Sequence, residues 1–252
     1  MDHLVILTSH LDGAVSGYEG LGFAVTPGGE HADGLTRNAL IPFKDGSYLE
    51  LVAFVDPDDT RDNVWGWRRF LSSGGGLIDY CAASDDLRAD LERLREGSFE
   101  ADGPTEGGRR RPDGEEIRWL IARIRQEGRL LPFLIEDLTP RELRVPRGPS
   151  AEHPNGALGI RRLELATHDT EGAVRAFAIL AGSPAGPGTS LWLGECSLSL
   201  VTPEGSRQRL DTKGPGPFAV GLATGVAGRA EQLDLRLSQG VNIQLLGPAA
   251  GG

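Results

Sequence analysis

Tyr48-Leu49-Glu50-Leu51-Val52-Ala53-Phe54 is the stretch that decides how the rest of the chain is read. Its β-branched and aromatic content predicts a strand, and alternation puts Tyr48, Glu50, Val52 and Phe54 on one face and Leu49, Leu51 and Ala53 on the other. Both faces are apolar, as in a strand covered on both sides. Glu50 is the only charged group among these residues, so its carboxylate is predicted to be buried. A carboxylate in apolar surroundings needs a cation, a metal or several hydrogen-bond donors. An arginine or a backbone amide would satisfy it equally well, and an exposed sheet edge would relieve it.

Working outward, the segment upstream holds a second strand over Thr36–Pro42, joined to the first by the turn Lys44-Asp45-Gly46. Before it stand a turn at Pro27-Gly28-Gly29 and a helix that starts at Asp12, carries Ala14, Val15, Tyr18 and Leu21, and ends at Gly22. The chain opens on an apolar strand, His3-Leu4-Val5-Ile6-Leu7-Thr8. The order is β-α-β-β-β, and it recurs: a strand over Gly76–Ala83, a helical stripe of Leu87, Leu91 and Leu94 closed by Gly97, a hairpin turning at Pro112-Asp113-Gly114, and strands over 116–124 and 130–136.

Residues 139–158, with several prolines and no periodicity, read as a linker between paired modules over 1–138 and a second, abridged pair over 159–248. In that second pair, a strand over 160–166 and a helix over 171–177 echo the opening of the chain, and 191–201 supplies a hairpin. The last unit is expected to be a strand over 218–223, a helix carrying Val226, Ala230, Leu233 and Leu237, and a strand over 241–246.

Composition narrows the function. The chain has 252 residues, a net charge of -10 and no basic stripe with interleaved aromatics, which argues against nucleic acid as a partner. No long apolar run and no signal-like N-terminus are visible, so no membrane is expected and a cytoplasmic location is. Cys81 and Cys196 lie far apart inside apparent strands and read as reduced, buried thiols. Gly74-Gly75-Gly76 lacks the lysine and helix of a phosphate loop, and no Gly-x-Ser-x-Gly elbow occurs.

His3 shares its strand face with Val5 and Leu7 and could turn an imidazole nitrogen toward Glu50 if the first and fourth strands line one cleft. As a group near the chain end it could equally be solvated. His31 sits in a polar loop; His10 and His168 flank helix starts, as caps or surface groups. Arg109, Arg110 and Arg111 face Glu115, Glu116 and Arg118 across the turn, either as a charge-paired hairpin or as an anion clamp. Trp65 and Trp67 suit a lid, a dimer contact or core packing.

Asp2-His3-Leu4-Val5-Ile6-Leu7, Tyr18-Glu19-Gly20-Leu21-Gly22-Phe23, Asn38-Ala39-Leu40-Ile41-Pro42-Phe43 and Gly46-Ser47-Tyr48-Leu49-Glu50-Leu51 together resemble a glyoxalase-like domain of the vicinal oxygen chelate superfamily. Trp119, Leu131-Pro132-Phe133-Leu134-Ile135-Glu136 and His153-Pro154-Asn155-Gly156 continue the resemblance, which spans most of residues 1–182. It implies an α+β fold of repeated βαβββ modules, curled into half-barrel mixed or antiparallel sheets with helices packed outside.

The resemblance also implies divalent-metal ligands on the first and fourth strands of each module, and His3 and Glu50 match two such positions. The second module departs from that pattern, with Ile78 or Asp79 and Phe133 or Leu134 at its positions. Arg162 and Ser199 stand there in the third module. His31, His153, Asp79 and Glu136 are possible supplements.

With a metal (Zn, Ni, Mn, Mg or Fe), the reading is a lyase, isomerase or dioxygenase-type enzyme on a small oxygenated metabolite. Glu50 would be ligand or base, Asn38 and Tyr48 catalytic, and His31, Arg110, Trp119, Glu136 and His153 around the substrate. Without a metal, Asn38, Tyr48, Trp119 and Arg110 would line the pocket of a binding or sequestering protein, as drug-binding members of the superfamily imply. A homodimer without turnover is a third option.

Overall fold

The computed structural model describes residues 1–110, 114–182 and 191–249, leaving aside the side chains of Arg110 and Pro203. Its first module is β1 (His3–Leu7), α1 (Leu11–Gly20), β2 (Thr26–Glu30), β3 (Thr36–Pro42) and β4 (Tyr48–Phe54). Its second is β5 (Gly76–Ala83), α2 (Leu87–Glu96), β6 (Ala101–Arg110), β7 (Glu116–Ile124) and β8 (Phe133–Asp137). These strands form one curled eight-stranded sheet in the order β2-β3-β4-β1-β5-β8-β7-β6. The order is a pseudo-twofold repeat: within each module the first strand pairs in parallel with the last, and β1 and β5 meet antiparallel at the seam.

Every residue of β1 and of β4 is buried, because each strand has an apolar cover on both sides. Leu4, Ile6, Leu49, Leu51 and Ala53 pack under the helices, in the same core as Tyr18, Leu87 and Leu91. Val5, Leu7, Val52 and Phe54 join Phe70, Phe133 and Ile135 on the concave side. His3 and Glu50 belong to that concave face, since His3 is in register with Tyr48 and Val5 with Glu50.

The second sheet is built from β9 (Ala157–Ala166), α4 (Thr170–Ala181), β10 (Leu191–Leu193) and β11 (Cys196–Val201), then β12 (Gly216–Thr224), β13 (Ala230–Gln232) and β14 (Asn242–Leu246). Its order, β10-β11-β9-β12-β14-β13, repeats the same plan with three described strands per module. Ile160, Leu163, Val220 and Ile243 share the core of the first sheet's helix side, so the two sheets enclose one apolar interior. Among the described residues no helix is long and apolar enough to cross a membrane. Cys81 and Cys196 are both buried, with free thiols.

Three local expectations are corrected. Pro27-Gly28-Gly29 lies within β2, bulged against β3, rather than in a free turn. Gly28 is needed there because a side chain would overlap the amide of Asn38 and crowd Arg109. No helix spans 226–237: Val226, Leu235 and Leu237 are exposed, and turns at 234–240 lay the chain against α1. A Cβ on Gly17 would collide with the carbonyl of Leu237, so that glycine is what permits the approach. Instead the last unit has its helix, α5 (Pro203–Lys213), before β12, opened by a proline in its first turn. The prolines of 139–158 likewise enclose a short helical turn, α3 (Arg141–Arg144), and a 3₁₀ turn over Gly148–Ala151.

Candidate functional site

The concave face of the eight-stranded sheet encloses a cavity of about 570 Å³, lined in part by β6 and the β2–β3 loop. Its apolar walls are Trp65, Trp119 and Phe133, and Trp65 stacks on Trp67 at 5.7 Å. Among the charged and polar residues lining it are His3, His31, Asn38, Tyr48, Glu50 and Arg109.

Glu50 is the hub of the site. It is only 5% exposed. His3 Nε2 lies 3.5 Å from its Oε2 and His31 Nε2 lies 3.4 Å from its Oε1. The amide of Asn38 donates to Oε1 as well. Burial pushes the carboxyl up, but the contact from His31, the charges of His3 and His31 and the Asn38 amide together hold it down at about 2. Burial pulls His31 down in turn; Glu50, with help from Asp33 and against Arg109, more than reverses this and raises it above its usual value.

Both imidazoles are fixed from behind. His31 Nδ1 is 2.8 Å from the Thr36 hydroxyl. His3 Nδ1 is 2.6 Å from Asp2 Oδ1, and Asp2 is fully buried. Arg144 donates to both oxygens of Asp2 at 2.9 Å, and Arg141 donates to Oδ2. Arg144 also binds Asp137, with Nε 2.6 Å from Oδ1, and donates to the Tyr48 hydroxyl at 3.0 Å. Burial raises Asp2 and the Arg144 and His3 contacts overcome that, so it stays well below the usual carboxylate range. Tyr48 stacks on His3 at 4.4 Å, and burial raises its hydroxyl well above the usual phenol range.

Of the residues singled out in the sequence, His3, His31, Asn38, Tyr48, Glu50 and Trp119 therefore meet around one cavity. Three do not. Glu136 follows Leu134 onto the helix side of β8 and accepts from the Leu87 amide at the start of α2, because strand parity gives the concave side to Phe133 and Ile135. His153 sits on the outer side, accepting from Ala24 N at 3.0 Å and reaching the Pro42 carbonyl at 2.9 Å between Phe23 and Phe43. The side chain of Arg110 lies outside the described residues. Asp79 is engaged by Trp67 Nε1 at 2.9 Å and Arg129 Nε at 3.0 Å, and Phe133 is apolar, so neither of these two positions of the second module offers a free ligand.

Asp2, Arg141 and Arg144 were not singled out in the sequence. The available signals were an aspartate directly before a histidine at the head of an apolar strand, and two arginines three residues apart in a proline-flanked segment.

Among the described residues, one grouping brings three potential ligand atoms close together. Asp2, His3 and Cys81 place ligand atoms within 4.8 Å of one another. That carboxylate is already taken by Arg144 and Arg141, and burial raises the Cys81 thiol well above its usual value. It is therefore a poor home for a cation. His3, His31 and Glu50 are drawn together without meeting that spacing: two Nε2 atoms address opposite oxygens of one carboxylate, each with its Nδ1 engaged elsewhere, as metal-binding histidines usually are.

The model of a glyoxalase-like domain matches residues 1–180. The chain belongs to the glyoxalase-like domain family. That places it in the vicinal oxygen chelate superfamily, whose paired modules are those of the eight-stranded sheet. No curated protein matches the sequence. A hypothetical protein from Staphylococcus aureus is similar over 98% of both chains, at 14% identity and a TM-score of 0.76. A variant of 4-hydroxymandelate synthase from Streptomyces coelicolor covers 90% of this chain and 71% of its own, at 15% identity and a TM-score of 0.54. A fusion of a xylose isomerase-like barrel with 4-hydroxyphenylpyruvate dioxygenase covers 89% of this chain and 36% of its own, at 17% identity and 0.53. At these identities the likeness is one of fold. For the glyoxalase-like domain described here, the S. aureus match shows that the second sheet belongs to a shared whole-chain architecture.

Proposed function

We propose that this glyoxalase-like protein is a divalent-metal-dependent enzyme, of lyase, isomerase or dioxygenase type, acting on a small oxygenated metabolite. The observation that carries the proposal is the pair of imidazole Nε2 atoms turned onto the two oxygens of a buried Glu50. His3, His31 and Glu50 would hold the ion. Two imidazoles with one carboxylate suit Fe, Zn, Mn or Ni and leave further positions open to substrate. A bound ion supplies Lewis acidity toward vicinal oxygens of the substrate.

The remaining work falls to the chain itself. Trp65, Trp119 and Phe133 exclude water and offer flat apolar faces to an unsaturated substrate. Arg109 brings positive charge to the same cavity and favours an anionic one. The Tyr48 hydroxyl, kept protonated by burial and oriented by Arg144, can hydrogen-bond to a developing oxyanion. Asn38 turns its NH₂ to Glu50, which leaves its buried Oδ1 without a partner among the described residues and ready to accept from a substrate hydroxyl. Asp2 is a positioning residue, holding the ring of His3 through Nδ1.

Elemental analysis after incubation with divalent ions tests this reading. The wild-type chain is expected to retain about one ion per chain, and His3→Ala, His31→Ala and Glu50→Gln to lose it. Equal metal content in all four proteins contradicts the reading and leaves a metal-free binding role.

A further inference from the structure

Outside the cavity, a cluster of buried positive charge lies where α5 meets the 3₁₀ turn over Arg68–Ser73 and the loop between β7 and β8. Arg209 is 6% exposed. Its Nε donates to the Pro217 carbonyl at 2.9 Å, but neither terminal amino group has a hydrogen-bond partner among the described residues. A guanidinium buried in this way forfeits its hydration and regains little, a loss that an anion would offset.

The neighbours deepen the imbalance. Lys213, one helical turn further along α5, donates to the Gly75 carbonyl and pairs with no carboxylate among the described residues. Arg129 follows on the β7–β8 loop, fixed by its own backbone amide to the Pro215 carbonyl at 2.7 Å. The carboxylate that offsets these charges is Asp79, and it is already committed to Arg129, to Trp67 Nε1 and to the Tyr80 amide. Burial and the charges of Arg69 and Arg129 bring Arg209 down to about 10, with Asp79 opposing. Burial and Arg209 bring Lys213 down to about 8. Both are still cationic at neutral pH. The chain as a whole carries a net charge of -10, so this pocket of positive charge runs against its average.

We propose that Arg209, with Lys213 and Arg129, forms a binding site for a small oxyanion of the phosphate or sulfate type, separate from the cavity around Glu50. A bidentate contact to the two free amino groups of Arg209 would meet the guanidinium's geometry, with Lys213 as a point charge beside it. The site stands directly behind the tryptophan wall: Arg129 donates to the Trp65 carbonyl, and Asp79, which it pairs with, holds the Trp67 ring. An anion that draws on Arg129 therefore acts on the residues that line the cavity, without entering it.

Inorganic phosphate, and sulfate in a parallel arm, should be titrated into the full chain by calorimetry at constant ionic strength, with chloride as the balancing salt. One saturable event is expected, with a thermal midpoint raised by about 3–6 °C at ten times the dissociation constant. Arg209→Met should abolish both signals, whereas Arg175→Met, on the exposed face of α4, should leave them intact. A response to phosphate alone assigns a phosphate group, and equal responses assign any tetrahedral oxyanion. If Arg209→Met does not fold, the wild-type titration decides. A non-saturable response that chloride reproduces shows that water alone satisfies Arg209, and overturns the site.

Discussion

At the scale of single residues, the account rests on proton and charge bookkeeping around Glu50. Its pKa, held at about 2, is depressed, so the stabilisation it gives is fully present above about 4.5 and is lost as pH falls toward 2. His31 is raised, so its contribution is present below about 6.5 and is lost as pH rises through the raised value. The metal-free protein is therefore expected to be most resistant to urea between those limits, and Glu50→Gln to flatten that profile and cost about 1–3 kcal/mol. Ion affinity should follow the opposite trend, rising with pH as His31 gives up its proton. Calorimetric ion titrations at several pH values check the sign. Asp2→Asn should lower ion affinity about 10–100-fold by releasing His3, with Glu50 left in place.

At the scale of elements, the strands were legible in the sequence because period-two alternation in β1, β3 and β4 already separates cavity from core. His3 and Glu50 could be read from it. Glu136, offered as a supplement, falls on the helix side because the parity of β8 gives the concave face to Phe133 and Ile135. His153 was out of reach because no local pattern says on which side of a sheet a proline-rich segment returns. Asp2 and Arg144 escaped for a related reason: they are 142 residues apart, and their pairing exists only after the modules close. The missing helix at 226–237 is a case of tertiary preference, in which a turn docked on the bare backbone of Gly17 replaces an amphipathic pattern. Gly17→Val should lower stability by about 1–3 kcal/mol through that contact, read as a lower thermal midpoint and faster hydrogen exchange over 233–241. The cavity should be unchanged.

At the scale of the whole molecule, the eight-stranded sheet carries the site and the six-stranded sheet covers its helix side. Because Leu4, Leu49, Leu163 and Val220 share one core, the two sheets are expected to unfold together. Chemical denaturation should accordingly show a single transition by fluorescence and circular dichroism alike. The central claim is that His3, His31 and Glu50 converge on one ion, while Asp2 and Cys81 stand behind it. Cobalt(II) added to the metal-free chain tests this most directly, through its visible and near-ultraviolet absorption. The account predicts one saturable site with nitrogen and oxygen ligands, lost in His31→Ala and retained in Cys81→Ser. A thiolate-to-cobalt charge-transfer band that disappears in Cys81→Ser and persists in His31→Ala would contradict it.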